Sequence, residues 1–128
     1  MTRKFIESGP GLPNWSNPIS HAVVVGKMCF VSGQLSISGD GEYVEGTAAE
    51  EATLAFNNVF AALKAAGFDK SDIAYIDIAF SDLTKLDEVN EIYMAIFPDG
   101  KRPARTVYEA AKLPFGGKVK IVATAVKD

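Results

Sequence analysis

Apolar and polar positions in the first third of the chain predict short strands rather than helices. The segment 3–8 is consistent with one short strand, and residues 9–18, with three prolines and two glycines, are typical of a loop. Apolar runs rich in β-branched residues occupy 23–25 and 28–31. Because a glycine at 26 separates them, the pattern indicates a β-hairpin with its turn at Gly26.

The clearest helix signal follows. Thr47 and Glu50 have the spacing of a capping box, in which a hydroxyl and a carboxylate each satisfy a free backbone N–H group. Gly67 supplies the left-handed residue that ends many helices. Apolar residues recur at helical spacing between these signals, at Ala52, Ala55, Phe56, Val59, Ala62, Leu63 and Ala66. The pattern predicts a helix over about 47–67.

The second half of the chain predicts one more helix and three more strands. Strands are expected at 72–81, 104–111 and 118–126, and a second helix at about 83–97, ended by Pro98. The order β-ββ-α-β-α-ββ is typical of an α+β fold in which both helices cover one face of the sheet. No linker divides the chain, so a single domain over 1–128 is expected.

The second face of that sheet is expected to be rather apolar. In the strand 72–81, alternation separates Ala74, Ile76, Ile78 and Phe80 from Tyr75, Asp77 and Ala79. In the strand 118–126, neither face is strongly polar. Such a face is unfavourable in water, so the pattern predicts its burial in a homo-oligomer.

Composition narrows the possible partners. The net charge is −3, and the basic residues are scattered, which disfavours nucleic acid and anionic membranes as partners. No apolar run has the length of a membrane span, and no signal peptide is recognisable, so a cytoplasmic location is expected. One histidine and one cysteine, Cys29, predict neither a metal site nor an internal disulfide.

Several motifs together resemble the YjgF/RidA family of imine deaminases. They are SGQ at 32–34, VNEIYMAIF at 89–97, PAR at 103–105, LP at 113–114 and KIVATAV at 120–126. The resemblance implies a chorismate-mutase-like fold and a homotrimer with a central β-barrel and three inter-subunit pockets. It implies hydrolysis of small 2-imino or enamino acids, such as 2-iminobutanoate and 2-iminopropanoate, to 2-keto acids and ammonia, without a cofactor.

The resemblance also assigns candidate site residues. Arg105 corresponds to the arginine that holds the substrate carboxylate, and a planar guanidinium suits bidentate binding of a carboxylate. The structural alternative is a salt bridge at a strand end. Ser32 and Gly33 correspond to a turn whose backbone faces the ligand. Val107 shares the face of Arg105 and contributes its carbonyl, and Glu109 extends that face as a polar group or ion-pair partner.

Three positions depart from the family pattern. Ile19 stands where the family has a tyrosine that covers the ligand, and His21 where it has a glutamine. Val122 is aligned with a glutamate that helps to activate water. His21 is therefore a candidate for proton transfer, since its ordinary pKa suits that role. The structural alternative is a hydrogen-bonded histidine at the start of a strand.

Three functions follow from these residues. The first is imine deamination in a pocket anchored by Arg105. The second is a non-catalytic or regulatory trimer that binds a small carboxylate, which the alkyl side chain of Val122 favours. The third is ribonuclease activity or translation inhibition, names attached to some family members, which the acidic composition disfavours.

Overall fold

The computed structural model describes residues 2–128, and it confirms the predicted α+β order of elements. The strands are β1 (Arg3–Ile6), β2 (Ala22–Val25), β3 (Met28–Gln34), β4 (Ile73–Phe80), β5 (Ala104–Glu109) and β6 (Val119–Val126). The two α-helices are α1 (Ala48–Ala66) and α2 (Leu86–Ile96). Within residues 2–128, neither is long and apolar enough to cross a membrane.

All six strands form one sheet in the order β1-β2-β3-β6-β4-β5. The C-terminal strand β6 is inserted between β3 and β4 and is antiparallel to both. β4 and β5 are parallel. β3 and β4 therefore also run in the same direction, and each helix is a crossover between two parallel strands.

Both helices belong to one layer. α1 packs against β1, β2, β3 and β6, and α2 packs against α1. The core between α1 and the sheet contains fully buried side chains from both, including Phe56, Ile76, Ile78, Phe80 and Ile121. The amphipathic stripe of α1 thus covers the apolar side of the central strands, as its periodicity predicts.

The predicted caps of α1 are confirmed. The Glu50 N–H donates to Thr47 Oγ1 at 3.1 Å, and the Thr47 N–H donates to Glu50 Oε1 at 2.9 Å. Gly67 ends the helix in the left-handed conformation, with φ of 86°. These contacts satisfy backbone groups that have no partner inside the helix.

The second helix begins later than predicted. Residues 83–85 form a 3₁₀ turn, and the α-helical part starts at Leu86. Asp82 accounts for the difference, because its Oδ1 accepts hydrogen bonds from the backbone N–H and the hydroxyl of Thr84. The Lys85 N–H then donates to the Asp82 carbonyl in a tight i→i+3 bond.

Alternation fails at the start of β4. The strand pairs Ile73 with Ala125 but Tyr75 with Thr124, so its register shifts between these pairs. The shift turns Ile73 into the core and leaves Ala74 exposed. The prediction that Ala74 shares the core face is therefore wrong, because a local irregularity resets the two-residue period.

One end of the second sheet face is covered by the chain itself. Ala79 lies on this face, as predicted, yet it is buried in a small cluster with Leu35, Ile37 and Leu113. The side chain of Asn58 on α1 holds this covering segment, because its Nδ2 donates to the carbonyls of Leu35 and Ile37. The segment after β3 thus folds over the second face instead of projecting into solvent.

The remainder of that face is apolar and uncovered, and we refer to it as the open face. Its large side chains are exposed: 45% of the surface of Phe30 and 60% of the surface of Phe5 are accessible to solvent. Met28, Tyr75 and Tyr108 are also exposed on it. An apolar surface of this kind on a small domain indicates an interaction site.

A buried carboxylate joins α1 to two irregular segments. Glu51 is fully buried, and its oxygens accept hydrogen bonds from the hydroxyl of Tyr43 at 2.6 Å and the N–H of Gly46 at 3.2 Å. Lys118 donates its backbone N–H at 2.9 Å and its ammonium at 3.2 Å. Burial alone raises the pKa of Glu51, but these donors outweigh burial and lower the pKa below its ordinary value.

We expect Glu51→Ala to lower the free energy of unfolding by about 3 kcal/mol, because several buried donors lose their acceptor at ~1–3 kcal/mol each. Glu51→Gln should lower the free energy of unfolding by less, since its amide oxygen still accepts hydrogen bonds. The measurement is urea denaturation, with the exposed Glu91→Ala as the control. A change of less than ~1 kcal/mol in Glu51→Ala would contradict the structural role.

The same network predicts a pH dependence. A carboxylate with a lowered pKa stabilises the folded state when the pH is above the ordinary pKa of the group, which is 4.5. This contribution is lost as the pH falls through the folded-state pKa. The stability difference between wild type and Glu51→Ala should therefore narrow in acid.

Candidate functional site

A cleft lies on the second face of the sheet, beside the end of β3. Its volume is about 370 Å³, and the residues that line it are Trp15, Asn17, Pro18, Ile19, Gly33, Leu35, Ile37, Pro114, Phe115 and Lys120. A neighbouring cavity of about 380 Å³ shares Trp15, Asn17, Ile37 and Phe115 with it. The predicted residues Ile19 and Gly33 thus lie in one concave site, which we call the cleft.

A β-bulge shapes this site. β3 pairs Val31 with Ala123 and then Gln34 with Ile121, so two residues, Ser32 and Gly33, lie opposite one residue of β6. Ser32 is fixed there, because its N–H donates to the His21 carbonyl at 2.9 Å and its hydroxyl donates to the Ser20 carbonyl at 2.6 Å. The predicted SGQ motif therefore contains a bulge at Ser32 and Gly33, and of these two residues Gly33 lines the cleft and Ser32 does not.

Gly33 allows Lys120 to lie across the floor of the cleft. A Cβ atom at Gly33 would come within 3.0 Å of the Lys120 Cδ, so a larger residue would displace that side chain. No sequence signal pointed to Lys120. Val122, the residue aligned with the family glutamate, lies two residues further along the same face, opposite Asp77, and is not among the cleft residues. Only the strand register distinguishes these two positions.

Phe115 forms the outer wall of the cleft in an unusual backbone conformation. Its φ is 64°, and it is the one non-glycine residue with positive φ in the part of the chain that the structure describes. Its ring is 55% exposed and stacks loosely on Tyr43, with 6.5 Å between centroids. Such strain persists where the surrounding structure imposes it, often at functional sites.

His21 lies behind the cleft and not in it. The imidazole is fully buried, its Nε2 donates to the Pro13 carbonyl at 2.9 Å, and its Nδ1 accepts from the Gln34 amide at 3.3 Å. The ring stacks on Trp15, with 3.9 Å between centroids. Burial lowers the pKa of His21, and the bond to Pro13 offsets only part of this effect. The geometry makes His21 a support for Trp15.

Arg105 lies on the helix-covered face of the edge strand β5. Its Nη1 donates to Asn90 Oδ1 at 2.8 Å, and its guanidinium lies over the ring of Tyr93 at 4.6 Å. Among residues 2–128 it forms no salt bridge, so the ion-pair alternative for this arginine finds no partner in the chain. A half-buried guanidinium held flat by stacking keeps most of its donors available.

Val107 and Glu109 share the face of Arg105. Val107 packs against the main core, and Glu109 Oε1 accepts the N–H of Leu83 at 2.9 Å. Glu109 is therefore the cap of the turn before α2 and not a partner of Arg105. We refer to Arg105, Val107 and Glu109 as the β5 group.

The structure does not bring the predicted residues together within one chain. Arg105 pairs with Ile76, Ile76 with Ala123 and Ala123 with Val31, so three strand spacings separate the β5 group from β3. The two groups also lie on opposite faces of the sheet. One chain therefore contains two partial sites, one on the edge strand β5 and one on the interior strands β3 and β6.

The other candidate reactive groups among residues 2–128 are the acidic side chains, the histidine and the single cysteine. Within residues 2–128, no three His, Cys, Asp or Glu side chains cluster in a way that could hold a metal ion. Burial raises the pKa of the Cys29 thiol to about 11, so this thiol is poorly nucleophilic.

Comparison with known proteins adds to this geometry. A family model described as Endoribonuclease L-PSP matches residues 12–127. The 2-iminobutanoate/2-iminopropanoate deaminase of Bos taurus is 37% identical over 128 residues, covering 99% of this chain and 92% of the relative. The YjgF gene product of E. coli is 32% identical with a TM-score of 0.88, covering 98% of this chain and 99% of that one. E. coli TdcF, solved with bound serine, is 30% identical with a TM-score of 0.88, covering 98% of this chain and 100% of TdcF.

The burial of His21 leads to a prediction about stability. His21→Ala should lower the free energy of unfolding by about 2–4 kcal/mol, because it leaves a cavity and unpaired polar groups. The emission of Trp15, the only tryptophan, should shift to longer wavelength as its stacking partner is lost. Fluorescence-detected unfolding measures both effects. A variant with full stability but no catalytic activity would instead support a chemical role.

The lowered pKa of His21 sets the direction of its pH effect. A buried neutral imidazole stabilises the fold above the ordinary histidine pKa of 6.5, and this contribution is lost as the pH falls through the lowered value. Wild type should therefore lose stability below pH 6.5, and His21→Ala should lose less.

Proposed function

Because the chain belongs to the YjgF/RidA family, we propose that it hydrolyses small reactive 2-imino and enamino acids to 2-keto acids and ammonia. Arg105 carries this proposal. It is a half-buried cation, oriented by Asn90 and stacked on Tyr93, without a carboxylate partner among the described residues. Such a group is suited to bind the carboxylate that every 2-imino acid contains. The deaminase name of the bovine relative and the serine bound to TdcF agree with a small carboxylate ligand.

The proposed pocket forms between copies of the chain. Since the β5 group and the cleft lie on opposite faces of the sheet and three strand spacings apart, a ligand that contacts both needs two protomers. The open face supports the proposal that three copies associate as a homotrimer around a central barrel, because burying its exposed aromatic side chains is favourable. Each of the three pockets would then combine Arg105 of one protomer with the cleft of the next.

The chemistry requires little of the protein. A water oxygen adds to the imine carbon, the resulting carbinolamine loses its nitrogen as ammonia, and the C=O bond of the 2-keto acid forms. Arg105 holds the carboxylate and so places the imine carbon for attack. The cleft residues Ile19 and Phe115 shield the other side of the substrate from bulk water.

One observation favours a second candidate function, which is binding without catalysis. The described residues that line the cleft include no carboxylate and no histidine that could activate water. Val122, aligned with the family glutamate, is also an alkyl residue. A trimer that binds small carboxylates without turnover would have the same surface, and it differs only in the rate of hydrolysis.

The decisive measurement is a coupled assay with 2-iminobutanoate generated in situ and semicarbazide as a competing trap. Wild type should accelerate formation of the 2-keto acid. Arg105→Ala should lower kcat/KM about 100-fold or more, because the substrate is no longer positioned. Arg102→Ala is the matched control, since Arg102 is exposed and contacts only the Phe97 carbonyl, at 3.2 Å, and Asp99, at 3.6 Å, among the hydrogen bonds and ion pairs of the described residues.

The outcomes separate the two functions. Turnover that depends on Arg105 and not on Arg102 supports the deaminase. Binding of 2-ketobutyrate that depends on Arg105, with no acceleration of hydrolysis, would support the binding trimer instead. Loss of activity in both arginine variants would contradict a specific carboxylate site at Arg105.

Assembly is tested separately. Phe30→Asp places a charge in the centre of the open face and should convert a trimer to monomers in size-exclusion chromatography with light scattering. Met94→Asp is the control, because Met94 is equally exposed, at 46%, but lies on α2. A wild-type protein that is monomeric at micromolar concentration would contradict the inter-subunit pocket.

A further inference from the structure

Lys120 is an unpaired cation in the cleft. Its side chain lies across Gly33, is half-buried, and among residues 2–128 forms no salt bridge. The nearest carboxylate along the same sheet face is that of Asp77, two residues from the Lys120 partner Ala79 on β4. Asp77 Oδ1 is itself buried without a hydrogen-bond partner. Lys120 therefore lines the cleft and forms no ion pair with Asp77.

The surroundings of Lys120 make an anionic ligand favourable. The other walls near it are mainly apolar, with Trp15, Ile19, Leu35 and Phe115 among them. An ammonium next to such walls has fewer water molecules around it than one in open solvent, and an opposite charge stabilises it there. The residues that line the cleft include no acidic group, so an acidic group of a bound ligand would supply the compensating charge.

Two cations then face one ligand. In the proposed function, which this inference depends on, Arg105 of one protomer holds the first carboxylate. We propose that Lys120 of the neighbouring protomer binds a second acidic group, so that the preferred substrates are short 2-imino dicarboxylic acids. Their methylene groups would pack on Ile19 and Phe115, between the two charged ends.

The test compares the affinity of the oligomer for two stable 2-keto acids, measured by calorimetry at low salt. The first is 2-oxoglutarate. The second is 5-methyl-2-oxohexanoate, in which an uncharged isopropyl group with the same number of heavy atoms replaces the distal carboxylate. Wild type should bind 2-oxoglutarate at least about tenfold more tightly, as expected for one charge-assisted hydrogen bond.

Three variants assign that preference to one side chain. Lys120→Met keeps the aliphatic stem and should abolish the tenfold preference, whereas Lys120→Arg should retain most of it. Lys27→Met changes the net charge by the same amount at the exposed hairpin turn and should bind like wild type. Circular dichroism of each variant confirms that the fold is intact.

The contrary outcomes are distinct. Equal or weaker binding of 2-oxoglutarate in wild type, or a preference that persists in Lys120→Met, overturns the role of Lys120. If 2-iminobutanoate turnover remains dependent on Arg105 in that case, the proposed function stands and only this inference fails. If neither analogue binds and turnover is also absent, both fail together.

Discussion

The last strand of the chain holds the two halves of the sheet together. β6 pairs with β3 on one side and β4 on the other, so that without it the sheet would separate into β1–β3 and β4–β5. Its inward residues Ile121, Ala123 and Ala125 are buried under α1, and the two alanines allow the helix to approach closely. Because small sheets are marginally stable by themselves, the pairing of β6 with both halves stabilises the whole sheet.

Buried polar groups hold the irregular segments that this sheet leaves unsupported. Glu51 secures the segment around Tyr43 and the start of β6, and Asn58 secures the backbone after β3. His21 fixes the proline-rich loop through Pro13 and Trp15. In each case an interior side chain satisfies backbone or side-chain groups of a loop, which gives a loop-built cleft a fixed shape.

The distribution of charge follows from the same architecture. Arg105 lies on the outer strand and under α2, and Lys120 lies on the central strand and on the opposite face. Neither forms a salt bridge within the part of the chain that the structure describes. A chain that keeps two partly buried cations unpaired, on surfaces that two copies could bring together, is consistent with a site that only the assembled protein completes.

Local signals in the sequence determined most of the elements. Thr47, Glu50 and Gly67 define α1 because capping depends only on neighbouring residues. The SGQ motif, selected by its resemblance to the family, lies at the bulge that Ser32 and Gly33 form. The tertiary structure alone decided the rest. That β6 lies between β3 and β4, that His21 is buried behind Trp15, and that Lys120 rather than Val122 lines the cleft all depend on strand order and register. These are set by contacts between residues far apart in the chain, which a two-residue or helical period cannot encode.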